Sequence, residues 1–367
     1  MRFKLFIILL FSFFILPLFC LAQSDISAGG EVFKAKVLEI TDQRELIRED
    51  GSINIQQNIK LIGLSGSYKH KEILIEGISD IEVISANTYK KGDKVFVTYD
   101  KDAEGNDYFF ITDYVRSSYL FYLSLIFALV ILFVGKKRGL KALISLILSF
   151  IIIIKFIVPQ ILAGQNPLLI SVAGCFIILA LIIYVTEGFN RKSHLALLSV
   201  FFSLLITIIL SCLFTNLSRL TGLANEDAMF LIGATTMAID FKGLLLAGIL
   251  IGTIGVLDDI IIAQIEAVRQ IREANPSLVK KKIFSMAYEI GNTHLGAIVN
   301  TLFLTYAGVS LPLLLLFSLH QEPFLTFSQV INNELIATEI VRALVGSIGV
   351  ALSLPIATFF GVYFYKK

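Results

Sequence analysis

The sequence predicts a membrane α-helical bundle of about seven transmembrane helices with a small N-terminal extracytoplasmic β-barrel or sandwich domain. Three observations predict it. The 367-residue chain is 56% hydrophobic and only 16% charged, and its mean hydropathy is +0.80, the composition of a polytopic membrane protein. Apolar runs long enough to cross a bilayer, at about 20 residues each, recur from residue 118 to the C-terminus. Ahead of them lies a polar block in which apolar and polar residues alternate.

The chain divides accordingly into 1–22, 23–116 and 117–367. Met1-Arg2-Phe3-Lys4 followed by Leu5–Leu21 is a basic start and an apolar run. It reads as a signal peptide, with a cut before Gln23, or as an uncleaved anchor. Either places residues 23–116 outside the cytoplasm. In that block Val32–Ile40, Asn58–Ile62, Lys71–Glu76, Asp93–Tyr99 and Tyr108–Ile111 alternate as strands, giving five or six short strands in about 90 residues. Gly92-Asp93-Lys94-Val95 entering a strand resembles the small barrels of OB type. No aromatic row or strong basic patch marks it for nucleic acid, so a packing or docking module for an extracytoplasmic protein partner is expected.

The predicted spans are Ser118–Val134, Leu140–Leu162, Leu168–Thr186, Leu195–Thr215, Gly243–Ile265, Leu295–Leu319 and Val341–Tyr363. Their connections sort by charge. Lys136-Lys137-Arg138, Arg191-Lys192, the stretch from Arg269 to Lys282, and Lys366-Lys367 fall on one side. The positive-inside rule makes that side, and the C-terminus, cytoplasmic. Residues 226–242 are too apolar for a free external loop and too short to span, so a re-entrant or interfacial helix is expected there. Asn275-Pro276-Ser277 ends the helix that precedes it.

The chemistry concentrates in Gly243–Ala263, where Asp258 and Asp259 stand side by side in an apolar run. An aspartate at the centre of a membrane helix costs about 2.5–3.5 kcal/mol on insertion scales, so two need a partner, a proton or a water-filled cavity. Gly248, Gly252, Gly255, Asp259, Ala263 and Glu266 step by three or four residues and share one face. That face is predicted to enter a helix interface, with Gly248 and Gly252 permitting close approach. The alternative starts the span near Ala228 and leaves both aspartates solvated at the cytoplasmic interface.

Other polar groups lie within the spans. Glu339, Arg342, Gly346, Gly349 and Ser353 share a face of the last span, with an ion pair near its outer end. Asn300, Thr301 and Thr305 are expected to hydrogen-bond across helices. Lys155 either snorkels to the outer headgroups or pairs with an aspartate. Cys20, Cys175 and Cys212 all lie in apolar runs, and the chain's four histidines lack metal spacing, so no disulfide framework, metal or cofactor is expected. Net charge, +2, singles out no partner class.

Several strings carry a family resemblance. Gly255-Val256-Leu257-Asp258-Asp259, Asn275-Pro276-Ser277-Leu278, His294–Leu302, Tyr306–Pro312 and Glu339-Ile340-Val341-Arg342 with Val345–Gly349 resemble the YibE/F family of bacterial membrane proteins. The likeness covers about 118–365. It implies a multi-pass protein of the bacterial inner or plasma membrane and brings no activity with it. Gly252–Arg269 is also similar to the aspartate-bearing helix of the RND superfamily. There an acidic pair, matched here by Asp258 and Asp259, couples proton entry to movement of an external domain. This chain departs from that superfamily in having four spans before the helix instead of two and no matching lysine. It also has one half instead of two, so a homo-oligomer is implied.

Two functions follow as expectations. One is a proton-coupled transporter or export-associated component, because carboxyls removed from water favour the neutral form and can exchange protons. The other is a membrane scaffold whose external domain recruits partners. Catalysis is not expected: an intramembrane aspartyl protease needs aspartates on separate helices, and no nucleophile motif is present.

Overall fold

The computed structural model describes residues 30–47, 53–78, 88–101, 105–224, 226–234, 239–319 and 325–365. The predicted leader, 1–22, lies outside them. The chain divides into two compact units, Met1–Phe127 and Ala128–Lys367.

In the first unit five strands form one antiparallel sheet: β1 (Val32–Ile47), β2 (Ile53–Gly63), β3 (Glu72–Glu76), β4 (Lys94–Lys101) and β5 (Asp107–Tyr114). They lie in the order β3-β2-β1-β4-β5. Each contains or overlaps a stretch that alternates in the sequence. Along β1, Phe33, Ala35 and Val37 are buried while Lys34 and Lys36 are exposed, the two-residue period of a half-buried strand. Register shifts after Val37 and Ile40 interrupt its pairing with β2, and such irregularities bend a strand. One core gathers Phe33, Leu61, Ile73 and Val97, with Phe109 and Ile111 of β5 packed against it. Residues from both edge strands therefore meet over one curled face. Among the described residues no pairing joins β3 to β5, so the described sheet is open-edged. Gln57 ties in the segment before β4: its Oε1 accepts from the Tyr89 amide at 2.8 Å, and its Nε2 donates to the Tyr89 carbonyl at 3.2 Å.

Helices follow. The long helix α1 (Ser117–Ile152) leaves helical geometry at Lys136, with φ 48° and ψ −123°. A Cβ on Gly139 would lie 2.1 Å from the carbonyl oxygen of Ile131. On an unbroken helix eight residues rise about 12 Å, so the chain doubles back at Lys136, within the predicted basic loop. A π-helical turn, Ile153–Ile157, leads into α2 (Val158–Leu162). Pro159 accounts for it: its ring crowds the carbonyl four residues back and offers no N–H, and the wider turn accommodates both.

Next come α3 (Pro167–Glu187), α4 (Arg191–Leu217), the short α5 (Glu226–Ala234), α6 (Phe241–Ala274) and α7 (Lys280–Val309). The last are α8 (Leu311–Ser318), α9 (Phe327–Asn332) and α10 (Glu334–Phe364). Asparagine or aspartate starts four of them. Asn166, Asn190, Asp240 and Asn333 each accept a first-turn amide of α3, α4, α6 and α10, satisfying donors that a helix leaves orphaned.

Among the described residues five helical runs are long and apolar enough to cross a membrane: Ser117–Leu162, Pro167–Glu187, Arg191–Leu217, Phe241–Ala274 and Glu334–Phe364. The pair α7 and α8, bent by 65°, makes a sixth if counted as one span. The span expected over Leu295–Leu319 falls on this bent pair. The helix breaks at Ser310, where Pro312 sits at the start of α8 and cannot donate back to the preceding turn. Helix α6 is central, packing against α3, α4, α7 and α10.

Candidate functional site

Asp258 and Asp259 lie on this central helix. Asp258 is half-buried and Asp259 exposed on the surface of the single chain. Both lie inward of a belt of ion pairs at the end of the bundle that the basic loops mark. Glu266 belongs to that belt and follows Asp259 by seven residues, an axial distance of about 10 Å. No basic side chain forms an ion pair with either aspartate among the described residues. Nor does any described group of three or more His, Cys, Asp and Glu have the arrangement to hold a metal ion.

Within the single chain most of the Asp259 face, expected to enter a helix interface, has no helix against it. Gly248, Gly255, Asp259 and Ala263 are all exposed, and a Cβ at Gly248 or Gly255 would meet nothing within 4 Å. The apolar positions Leu250, Leu257 and Ile261 turn the opposite side of α6 into the core. Two positions on this face have a neighbour from another helix: a Cβ at Gly252 would stand 2.3 Å from the Tyr306 hydroxyl of α7, and Glu266 pairs with Lys192 of α4. The reason is that α6 already has four neighbours on its other sides, and the spacing identified a face without identifying its occupant.

Lys155 is exposed in the π-turn and makes no ion pair with either aspartate, so the second of its two expected arrangements is absent. The hydroxyls of Thr301 and Thr305 donate to the carbonyls of Ala297 and Thr301, at 2.9 and 2.7 Å, within their own helix instead of across helices. Asn300 is exposed on α7. Each of these groups is at the surface of the single chain, where a membrane helix presents lipid or another protein.

The α10 residues are brought together. Arg342 Nη1 donates to Glu339 Oε1 at 2.9 Å, and its guanidinium stands 5.8 Å from the Tyr306 ring centre. A Cβ at Gly346 would lie 3.1 Å from Leu302 and 3.2 Å from Thr253 Oγ1; at Gly349 it would lie 2.1 Å from Thr207 Oγ1. These glycines let α10 approach α7, α6 and α4. Tyr306 thus wedges between Gly252 and Arg342 near one end of the bundle.

At the other end Lys192 of α4 pairs with Glu187 of α3 and with Glu266 of α6. Arg269 bridges Glu266 at 2.5 Å and Glu273 at 2.6 Å. Arg272 leaves that row and donates to the last carbonyls of α10, at Val362 (2.8 Å) and Tyr365. Glu187, Lys192, Ser193, Ala196, Ile262 and Ile265 line a small pocket there.

Sequence reasoning passed over a ladder of hydroxyls. Ser199, Ser203, Thr207, Ser211 and Thr215 recur every fourth residue of α4 and are all fully buried. The signal was present as a four-residue period of small polar residues, the packing pattern of membrane helices. Gln264 was also missed. It is buried, and its Nε2 donates to the Ala287 carbonyl and to Thr358 Oγ1, each at 2.7 Å, tying α6 to α7 and α10.

A bundle of apolar helices around a central acidic helix, preceded by a small antiparallel sheet, defines a multi-pass membrane protein with an N-terminal β domain. Residues 123–367 match the model of the YibE/F-like protein family, and residues 31–114 match the YibE/F family N-terminal domain. The chain belongs to the YibE/F family. No curated protein and no solved structure matches it.

Proposed function

We propose that this protein is a proton-coupled transporter or export-associated component of the bacterial inner or plasma membrane. In this reading Asp258 and Asp259 are the coupling site. The observation that carries it is the placement of two adjacent carboxyls about 10 Å inside the ion-pair belt, with no cation ion-paired to them among the described residues. Protonation changes the charge in that layer by one unit without the help of a metal or cofactor. The neighbouring helix contacts then feel a different field, which is how a proton can bias one arrangement of a bundle over another. The carboxyls adjoin on one helix, a geometry suited to carrying a proton and unsuited to flanking a scissile bond, so the role is non-catalytic.

The topology that supports this reading has seven spans. A helix of 46 residues would be about 69 Å long against a hydrocarbon layer of about 30 Å. The doubling back at Lys136 makes Ser117–Leu162 two passes, and the bent α7–α8 pair supplies another. Basic residues 136–138, 191–192 and 269–282 then face the cytoplasm together with the C-terminus. The β domain is extracytoplasmic, and 1–22 directs it there.

The test uses the purified full chain in proteoliposomes carrying a pH-sensitive dye. An imposed gradient is expected to drive proton movement by the wild type that Asp258→Asn and Asp259→Asn each reduce by at least about tenfold. Equal flux in correctly inserted variants removes the aspartates from the coupling role. Zero flux in the wild type favours a scaffold whose external domain recruits partners.

A further inference from the structure

We propose that the small pocket between α3, α4 and α6 is a water port, leading from the basic end of the bundle to Asp258 alone, with Ile262 as the barrier between them. The two aspartates stand about 100° apart on α6, and their neighbours along the helix differ. Ile254 and Ile262 stand four residues to either side of Asp258, and Ile251 and Ile265 seven. All four belong to or pack against the core shared with Leu179 and Ile183 of α3 and with Ala196 and Val200 of α4. The same steps from Asp259 reach Gly255, Ala263, Gly252 and Glu266, the face that is mostly open. Asp258 therefore faces α3 and α4, and Asp259 does not.

Inward of Asp258 that core gives way to polar groups. Ile262 and Ile265, on the Asp258 side of α6, line the pocket with Lys192, Ser193 and Ala196 of α4 and Glu187 of α3. The pocket offers about 10 Å³ to the centre of a water, room for one molecule. A buried water needs about two to four polar partners, and the walls supply them. Ser193 Oγ donates to the Gly188 carbonyl at 2.6 Å and can accept in turn. Lys192 Nζ bonds the carboxylates of Glu187 and Glu266, and Arg269 shares Glu266. These are the charged groups at the inner mouth, and none of them is ion-paired to Asp258.

Ile262 lies four residues, about 6 Å, inward of Asp258, and only partly fills its side of the core. On the outward side Leu179, Ile183, Val200 and Leu204 are buried and apolar, so water arriving from the pocket has no polar group to follow further. An intramembrane carboxyl needs water or a polar partner to change its charge. When Ile262 swings aside, the Asp258 carboxyl gives a proton to the pocket water, which releases one to bulk water. Asp258 is left as a carboxylate, and the pocket returns to its starting charge. The port rests on the coupling reading only for what travels through it; its place and its barrier rest on the packing.

The test reads access with silver ion, a water-sized thiol reagent, applied to inverted membrane vesicles carrying the full-length chain with Cys20, Cys175 and Cys212 replaced by Ala. Capture is followed as loss of maleimide labelling once the chain is unfolded. With Ile262 intact, Ala196→Cys is expected to be captured at least about fivefold faster than Val200→Cys. Asp258→Cys is expected to be captured at least about fivefold faster when combined with Ile262→Ala. Ile251→Ala, an equal truncation outward of Asp258, is expected to leave that rate unchanged. Equal rates at 196 and 200 overturn the port. A rate at 258 that Ile262→Ala does not raise, or that Ile251→Ala raises as much, overturns the barrier. The comparison of 196 with 200 needs no change at Ile262, so it decides even where Ile262→Ala fails to fold. Asp258→Cys carries no carboxyl at the site, so these rates are independent of proton flux; zero flux in the wild type removes the coupling reading and leaves the port standing.

Discussion

Gly349 and Gly255 belong to the same bundle but face opposite circumstances. At Gly349 an added methyl would sit 2.1 Å from Thr207 Oγ1. Overpacking of that kind costs about 1–3 kcal/mol. Gly349→Ala is therefore expected to lower the thermal unfolding midpoint in detergent, and Thr207→Ala in the same chain to restore most of it, because the clashing oxygen is gone. Gly255→Ala should leave the midpoint of the monomer unchanged, within about 0.5 kcal/mol. The two glycines look alike in the sequence, each part of a three-four rhythm that also contains charged residues. Rhythm reveals that a helix has a small-residue face; it does not reveal which neighbour the chain brings to it. The same gap explains Thr301 and Thr305, whose hydroxyls find acceptors one turn back on their own helix.

Among the elements, α6 organises the bundle through its two ends and its middle. Its inner end is tied to α10 by Arg272, which donates to the carbonyls of Val362 and Tyr365, groups that a helix terminus leaves without partners. Arg272→Gln is expected to speed amide exchange in the last turn of α10 while leaving its middle unaffected, as hydrogen exchange with mass spectrometry would show. Glu266→Gln should matter less. Lys192 keeps Glu187 and Arg269 keeps Glu273, and these side chains are about a quarter exposed or more, so the expected loss is at most about 1 kcal/mol. The helix-breaking Asn275-Pro276-Ser277 was legible because proline and its neighbours act locally: α6 ends at Ala274 and α7 begins at Lys280. The break at Ser310 carried the same kind of signal in Pro312, but averaging hydropathy over the whole run conceals a single residue. The hydroxyl ladder of α4 was hidden by the opposite fault, since Ser and Thr hardly disturb an apolar average.

For the whole molecule, alternation marked segments of the five strands and hydropathy marked the helical unit, because both depend on each segment's own composition. The sheet's order, with β1 between β2 and β4, rests on pairing between distant segments and had no local signature. The proposed orientation makes a direct prediction for intact cells. Lys60→Cys should react with a membrane-impermeant thiol reagent, whereas Lys137→Cys and Lys282→Cys should react only after permeabilisation. The reverse pattern would invert the topology.

The central claim is that a carboxyl group exchanges protons from within the apolar layer. Modification by carbodiimides, mapped by mass spectrometry on the full chain in membranes, addresses it at the atoms concerned. A lipid-soluble carbodiimide should derivatise Asp258 or Asp259 and halt proton movement, while a water-soluble one leaves both untouched. Equal derivatisation by the two reagents would put the pair in bulk water and contradict the account.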